Sequence, residues 1–398
     1  MRTPLIGFAA LALAGTALAQ PAIDPELAAR LNPVIDRALS EKRIVGAVVL
    51  VARNGEIVYR RAAGQADREA GTPMREDAIF RLASITKPIV TAAAMRLVEE
   101  GRLDLHAPVT RWLPDFRPAL PDGSRPEITI HHLLTHTSGL GYSFLEPADG
   151  PYHKLNVSDG LDQPGLSLEE NLSRLAAAPL LFAPGSGWHY SLGIDVLGGI
   201  LEKLEGRSLP EIVREKVTAP LGLDDTDFAV RDPSRLAKAY ADGDPEPVPM
   251  TDGMAVPLYG LAATFAPSRI LDARSYPSGG AGMAGTAGDI LRFLEAIRTG
   301  GAPILMAGTV ETMAADQVGP QAETQGPGWG FGYGWAVLAD PAPTGTPQAH
   351  GTLQWGGAYG HSWLIDRANG LSVVALTNTA FEGMSGAFPT DVRNAVYE

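Results

Sequence analysis

The chain has 398 residues, 45% of them apolar, and a formal net charge of -13. That length supports a large core in one elaborate domain or two intertwined subdomains, while the acidic balance argues against a nucleic-acid partner, which requires clustered positive charge. Cysteine is absent, which rules out disulfides, thiolate metal sites and a cysteine nucleophile.

Residues 1–19 carry Arg2, an apolar run from Leu5 to Leu18, and Ala17-Leu18-Ala19 before Gln20, the pattern of a cleaved signal peptide. The competing reading is a membrane anchor, but the run is shorter than the ~20 apolar residues that span a bilayer. A periplasmic or secreted protein with no stable membrane span after cleavage is therefore expected. An amphipathic stretch around residues 25–43 precedes two strands, 45–52 and 56–62, joined at Asn54-Gly55, a strong hairpin signal. Residues 84–101 have helical periodicity through Ile89, Ala92, Met95 and Leu97, with Ser84 as the expected N-cap and Gly101 as the stop. From 102 to 325 the Pro and Gly density rises, and helices at 167–178, 194–205 and 289–298 are separated by irregular connections. Strands return at 330–338, 360–366 and 371–378, the last two joined at Asn369-Gly370, and a short helix at 389–396 covers them. Strands at both chain ends with helices between predict an α+β fold: an antiparallel sheet built from both termini and flanked by helices. Residues 20–101 and 326–398 would form this sheet subdomain, and 102–325 a largely helical inserted subdomain.

One serine has a lysine three residues on, in Ser84-Ile85-Thr86-Lys87. On a helix that spacing stacks both side chains on one face, where a desolvated amine can accept the hydroxyl proton, and the helix N-terminus favours a developing alkoxide. Taken alone, the tetrapeptide reads better as a capping serine followed by an unrelated surface lysine, and context has to reverse that. Three further segments supply context. These are Leu133-Leu134-Thr135-His136-Thr137-Ser138-Gly139-Leu140, Trp188-His189-Tyr190-Ser191-Leu192, and Trp355-Gly356-Gly357-Ala358-Tyr359-Gly360-His361.

Together with Arg81-Leu82-Ala83-Ser84-Ile85-Thr86-Lys87-Pro88, they make the chain resemble the serine β-lactamase and penicillin-binding-protein superfamily, in the class C-like branch that includes family VIII carboxylesterases. The resemblance implies that Ser84 is the nucleophile, Lys87 its partner, and Tyr190 the first residue of a Y-x-N-type element. A tyrosine phenolate near a lysine ammonium can serve as general base, because the adjacent positive charge favours the ionised phenol; the alternative for Tyr190 is a hydrogen-bonded core tyrosine. The resemblance places the oxyanion hole at the amides of Ser84 and Ala358, and substrate contacts at Trp355, Gly356, Gly357 and Leu192. Tyr142, the rival phenol, is expected to line the pocket.

Two departures bear on substrate. Trp355 stands where the related β-lactamases and peptidases carry the lysine of K-T-G, and Leu192 where they carry the asparagine of Y-x-N. Both changes make the pocket more apolar, which favours short to medium neutral esters over β-lactams or cell-wall peptides, the second reading. A catalytically silent peptidoglycan-binding protein is a third reading, against which the intact Ser84, Lys87 and Tyr190 count. Gly280-Ala281-Gly282-Met283-Ala284-Gly285 satisfies G-x-G-x-x-G without a preceding strand, and reads as a turn rather than a dinucleotide site. Gly360-His361-Ser362-Trp363-Leu364 resembles a nucleophile elbow but lacks its fifth glycine. His131, His132 and His136 read as a loop or helix start, and neither a metal nor a cofactor is expected. Oligomeric state and the physiological ester are not legible.

Overall fold

The structure, a computed structural model, describes residues 23–398; the export signal expected at 1–19 lies outside the described residues. Helix α1 (Pro25–Ser40) opens with Asp24 accepting from the amides of Glu26 and Leu27 and with Pro25 at the first helical position, where a missing N–H costs nothing. Strands β1 (Gly46–Arg53) and β2 (Glu56–Asp67) follow. Asn54 and Gly55 between them both take positive φ, 54° and 91°, the conformation a tight two-residue hairpin demands. β2 outruns the expected end at 62 because Ala63 and Gly64 still pair with Ala47 and Gly46 before Gln65 pairs with β3 (Thr72–Pro73).

The C-terminal strands are β4 (Trp329–Phe331), β5 (Ala336–Leu338), β6 (Leu353–Gly357), β7 (His361–Asp366) and β8 (Leu371–Thr377). The eight strands form one sheet in the order β4-β5-β6-β7-β8-β1-β2-β3, all neighbours antiparallel. The expected single strand at 330–338 is in fact β4 and β5, because Gly334 at φ 96° reverses the chain and pairs Trp329 with Leu338. The β7–β8 connection is also longer than an Asn-Gly pair: Asp366 pairs with Leu371, and of the residues between them Gly370 alone has positive φ. The Asp366 carboxylate instead accepts from the amide of Asn369 at 3.1 Å.

Both faces of the central strands are covered. Ala47, Val49 and Val51 pack with Leu31 and Ile35 of α1 and with Phe388 and Val392 of the C-terminal helix, while Val48 and Leu50 join the main core. A strand buried on both sides carries a continuous apolar run rather than alternation, as residues 47–52 do. Helix α2 (Thr86–Glu99) is buried almost all round, the pattern of a core helix. Gly101, at φ 68°, lies just past its end. Helix α3 (Gly193–Glu205) packs beside α2, and helix α4 (Ala287–Arg298) packs on β1 and β8. Helices α5 (Ala380–Ser385) and α6 (Ala387–Tyr397) close the chain. The α+β class with an antiparallel sheet from both chain ends is thus observed. The middle of the chain also carries two small hairpins, one of them Met254–Leu258 with Leu261–Phe265. Among the described residues no helix is long and apolar enough to cross a membrane.

Candidate active site

The segment that presents Ser84 is pinned before it turns. Ile79–Arg81 pairs with Ala284–Thr286, the Leu82 amide donates to Met283 O at 2.8 Å, and His361 Nε2 donates to Arg81 O at 2.7 Å. Ala83 then adopts φ 45°, a left-handed conformation that costs a non-glycine residue roughly 1–3 kcal/mol and persists where the surroundings impose it. Residues Ala83–Ile85 form a 3-10 turn ahead of α2, whose N-cap is Ile85 without a side-chain bond. Ser84 is therefore not the helix cap expected from the sequence. Its hydroxyl is turned toward other side chains, leaving the cap unmade.

Ser84 Oγ lies 2.7 Å from Tyr190 Oη and 3.3 Å from Lys87 Nζ. Lys87 is 1% exposed and donates to Gly280 O at 2.8 Å, with its ammonium 4.5 Å from the Tyr190 ring centroid. The glycine-rich turn at 280–285 supplies that acceptor, a role no motif signals because a backbone carbonyl leaves no mark in sequence. Beneath it, buried Asp195 accepts from Ser278 Oγ at 2.6 Å, and burial raises its carboxyl pKa against the opposing effects of that bond and of Lys87.

Tyr190 is braced from three sides. His136 packs edge-on at 4.9 Å between ring centroids, and its Nδ1 accepts from the Ser191 amide at 3.2 Å. Complete burial, then the Lys87 charge, holds the His136 pKa well below its ordinary value, so this imidazole is neutral. On the cleft side Trp355 Nε1 points at Tyr190 Oη from 3.4 Å, with ring centroids 5.1 Å apart. Tyr142 stands behind, 5.1 Å from the Tyr190 ring and stacked on Phe144 at 4.6 Å. Burial raises the Tyr142 phenol well above its ordinary value, which keeps it protonated.

Two residues expected to line the pocket are set back from it. Tyr142 is 2% exposed and does not line the cleft; its neighbour Phe144 takes that wall. Leu192 is wholly buried in the main core as the N-cap residue of α3, its amide bonded to Gly141 O at 3.2 Å. The start of α3 points this side chain inward, so a leucine there fills core rather than meeting substrate.

β6 supplies the opposite wall. A Cβ on Gly357 would lie 2.4 Å from Leu82 O, so only glycine lets the strand end approach the Ser84 turn this closely. Gly357 is therefore a spacing residue, whereas Trp355, Gly356 and Ala358 border the cleft. The Ala358 amide donates to no protein acceptor among the described residues and borders the cavity that also contains Ser84. The cavity measures about 730 Å³, and its walls include Phe144, Leu145, Trp188, Tyr259, Trp355 and Phe381. Among the described residues its one charged lining side chain is Arg393, on α6 and bonded to Asn394 Oδ1 at 3.0 Å. Ser362 sits within β7, with no acid or base hydrogen-bonded to it among the described residues. His132 belongs to the capping box of the short helix Ile130–Leu134, and His131 bonds Tyr333 Oη at 2.8 Å.

A family model described as Beta-lactamase matches residues 31–397. The chain is 61% identical to Esterase EstB of Burkholderia gladioli over 375 residues, 93% of this chain and 95% of that protein. Among solved structures, it matches EstCE1, described as a hydrolase with promiscuous acyltransferase activity, at 53% identity with a TM-score of 0.92, covering 94% of this chain and 99% of that one. The octameric penicillin-binding protein homologue from Pyrococcus abyssi, 23% identical with a TM-score of 0.69 over 92% of this chain and 75% of its own, shares the fold.

Proposed function

This chain belongs to the β-lactamase family and is a serine hydrolase, and from that membership we propose that it is an esterase cleaving short to medium carboxylic esters through an acyl-enzyme on Ser84. The observation that carries the reading is the Ser84–Tyr190–Lys87 cluster, with 2.7 Å and 3.3 Å contacts at the floor of an aromatic cleft. Tyr190 Oη is within proton-transfer distance of Ser84 Oγ. As Ser84 attacks the ester carbon, its proton passes to Tyr190 acting as phenolate, and the carbonyl oxygen takes up negative charge facing the amides of Ser84 and Ala358. Collapse expels the alkoxide, which receives the proton from Tyr190. Water then enters, loses a proton to Tyr190, and attacks the acyl carbon; the second collapse frees the acid and returns a proton to Ser84. Lys87, held by Gly280 O, places an ammonium against the Tyr190 ring and beside Ser84 Oγ throughout, favouring negative charge on either oxygen.

Neutral esters fit the wall better than β-lactams. A β-lactam carboxylate must shed water, and at the position of Trp355 it meets an indole rather than a cation, leaving the desolvation uncompensated. The similarity to Esterase EstB and to EstCE1 supports the same choice. The direct test is an active-site label: a phosphonate or sulfonyl fluoride should give one adduct, which peptide mapping places on Ser84. An adduct on Ser362 instead would refute the assignment. We propose also that the enzyme works outside the cytoplasm, on the pattern of residues 1–19; N-terminal sequencing of fractionated protein should start at Gln20.

A further inference from the structure

Behind the oxyanion turn lies a second cavity, of about 20 Å³, whose lining includes Arg81, Arg269, Gly282, Met283 and Tyr359. It shares no wall residue with the catalytic cleft except Leu161. Arg269 is 7% exposed. Its guanidinium donates to Asp162 O at 3.2 Å and Tyr276 O at 2.8 Å and stacks over the Tyr276 ring at 4.5 Å. Arg81 donates to Pro267 O at 2.8 Å and Ala237 O at 2.9 Å. All four acceptors are backbone carbonyls, and among the described residues neither arginine has a carboxylate within ion-pairing distance. Each guanidinium carries five N–H groups, so Nη2 of Arg81 and Nη1 of Arg269 have no protein acceptor among the described residues.

We propose that this cavity is a binding site for a single halide-sized anion, chloride in ordinary buffers, held between Arg81 and Arg269. Arginine stays protonated in proteins, so two positive charges persist here, Arg269 buried and Arg81 partly so, while the carboxylates that act on them, Asp195 and Asp252, lie beyond ion-pairing distance. Water could accept from the spare N–H groups but would bring no negative charge between the two guanidiniums. The volume of about 20 Å³ admits about one small sphere, since a single water needs ~10–15 Å³ by this measure, which suits a monatomic anion better than sulfate or phosphate. The site also touches the machinery of the active site. Arg81 lies three residues before Ser84, Gly282 two after the Lys87 acceptor Gly280, and Tyr359 directly after Ala358. An anion there would hold these three segments against one another.

The test replaces chloride by bromide. Crystals of the full chain grown in sodium bromide should show an anomalous peak between Arg81 and Arg269. At constant ionic strength set with sodium gluconate, chloride and bromide should raise the Tm saturably by a few degrees, and Arg269→Gln should abolish that rise. Arg269→Lys, which keeps the charge, should retain part of it. Absence of the bromide peak overturns the proposal whatever the Tm does, because salt can act elsewhere. Should Arg269→Gln fail to fold, the anomalous map of the wild-type protein still decides.

Discussion

The two walls of the cleft are built on different terms. On one side Ser84, Lys87 and Tyr190 are tied by hydrogen bonds and backed by buried His136 and Asp195. On the other, Phe144, Leu145, Trp188 and Trp355 are partly exposed, and Tyr259 at a hairpin tip is 76% exposed. The first wall can move a proton because its geometry is over-determined. The second can only contribute apolar area, shape and the absence of charge. Changes on the first should therefore appear in kcat, and changes on the second in KM and in the choice among substrates.

The largest effect expected is from Ser84→Ala, which removes the nucleophile and should abolish ester turnover and acyl-enzyme formation by intact-mass measurement. Since Ser84 caps no helix, it loses only hydrogen bonds worth about 0.5–1.5 kcal/mol each, and the protein should remain folded by circular dichroism. Residual turnover at the wild-type rate would show that the first wall is not the reacting one. Next, Lys87→Ala and Tyr190→Phe should each slow acylation by roughly 10²–10⁴-fold in single-turnover experiments. The double variant should lose less than the product, as expected for groups that serve one proton transfer; multiplicative losses would mean they serve separate steps.

Trp355 belongs to both walls, since it lines the cleft and reaches Tyr190, so its variants sharpen the contrast. Wild type should prefer an aryl ester to benzylpenicillin in kcat/KM. Trp355→Lys should narrow that ratio by about tenfold, a typical yield for one added pocket contact, while Trp355→Met controls for lost bulk. Equal ratios for the two variants would remove the charge argument. The lost indole contact to Tyr190 should lower kcat in both. A smaller effect is expected at the exposed rim, where Tyr259→Ala should raise KM a few-fold with kcat unchanged; a fall in kcat instead would bring the hairpin into the chemistry.

The smallest effect on turnover concerns pH and the support of the second wall. Buried Asp159 accepts from the Ser143 amide at 2.9 Å and from its hydroxyl, fixing the turn that carries Phe144 and Leu145. Burial, then the charge of Asp162, pushes its carboxyl up from 3.8 to about 7. Between those values the folded protein holds a proton that the unfolded chain has released, so this group's contribution to stability falls as pH rises through the window and levels off above it. Asp159→Asn, neutral at every pH, should remove that slope. Denaturant midpoints for both proteins from pH 4 to 8 check this, and parallel curves would mean that Asp159 is ionised throughout.

Much of this was readable along the chain. Asn54-Gly55 fixed a hairpin because two successive positive φ angles suit few other residues, and the Ser84–Lys87 spacing placed both side chains on one face because a helical turn closes in three to four residues. The family motifs pointed to Tyr190, Trp355 and Ala358 in the same way, as local patterns. What the sequence could not show depends on contacts between distant segments. Gly280 O reaches Lys87 across 193 residues of separation, Trp355 reaches Tyr190 across 165, and a carbonyl acceptor looks the same at every position. Leu192 and Tyr142 stand next to motif residues yet face the core, because the entry angle of α3 and the stacking of Tyr142 on Phe144 decide where they point. Ser84 lost its expected cap for the same reason: the Ile79–Arg81 strand, the His361 bond and the strained Ala83 turn aim its hydroxyl at Tyr190. Local pattern determined which residues could react, and tertiary packing alone decided which of their neighbours hold them in place.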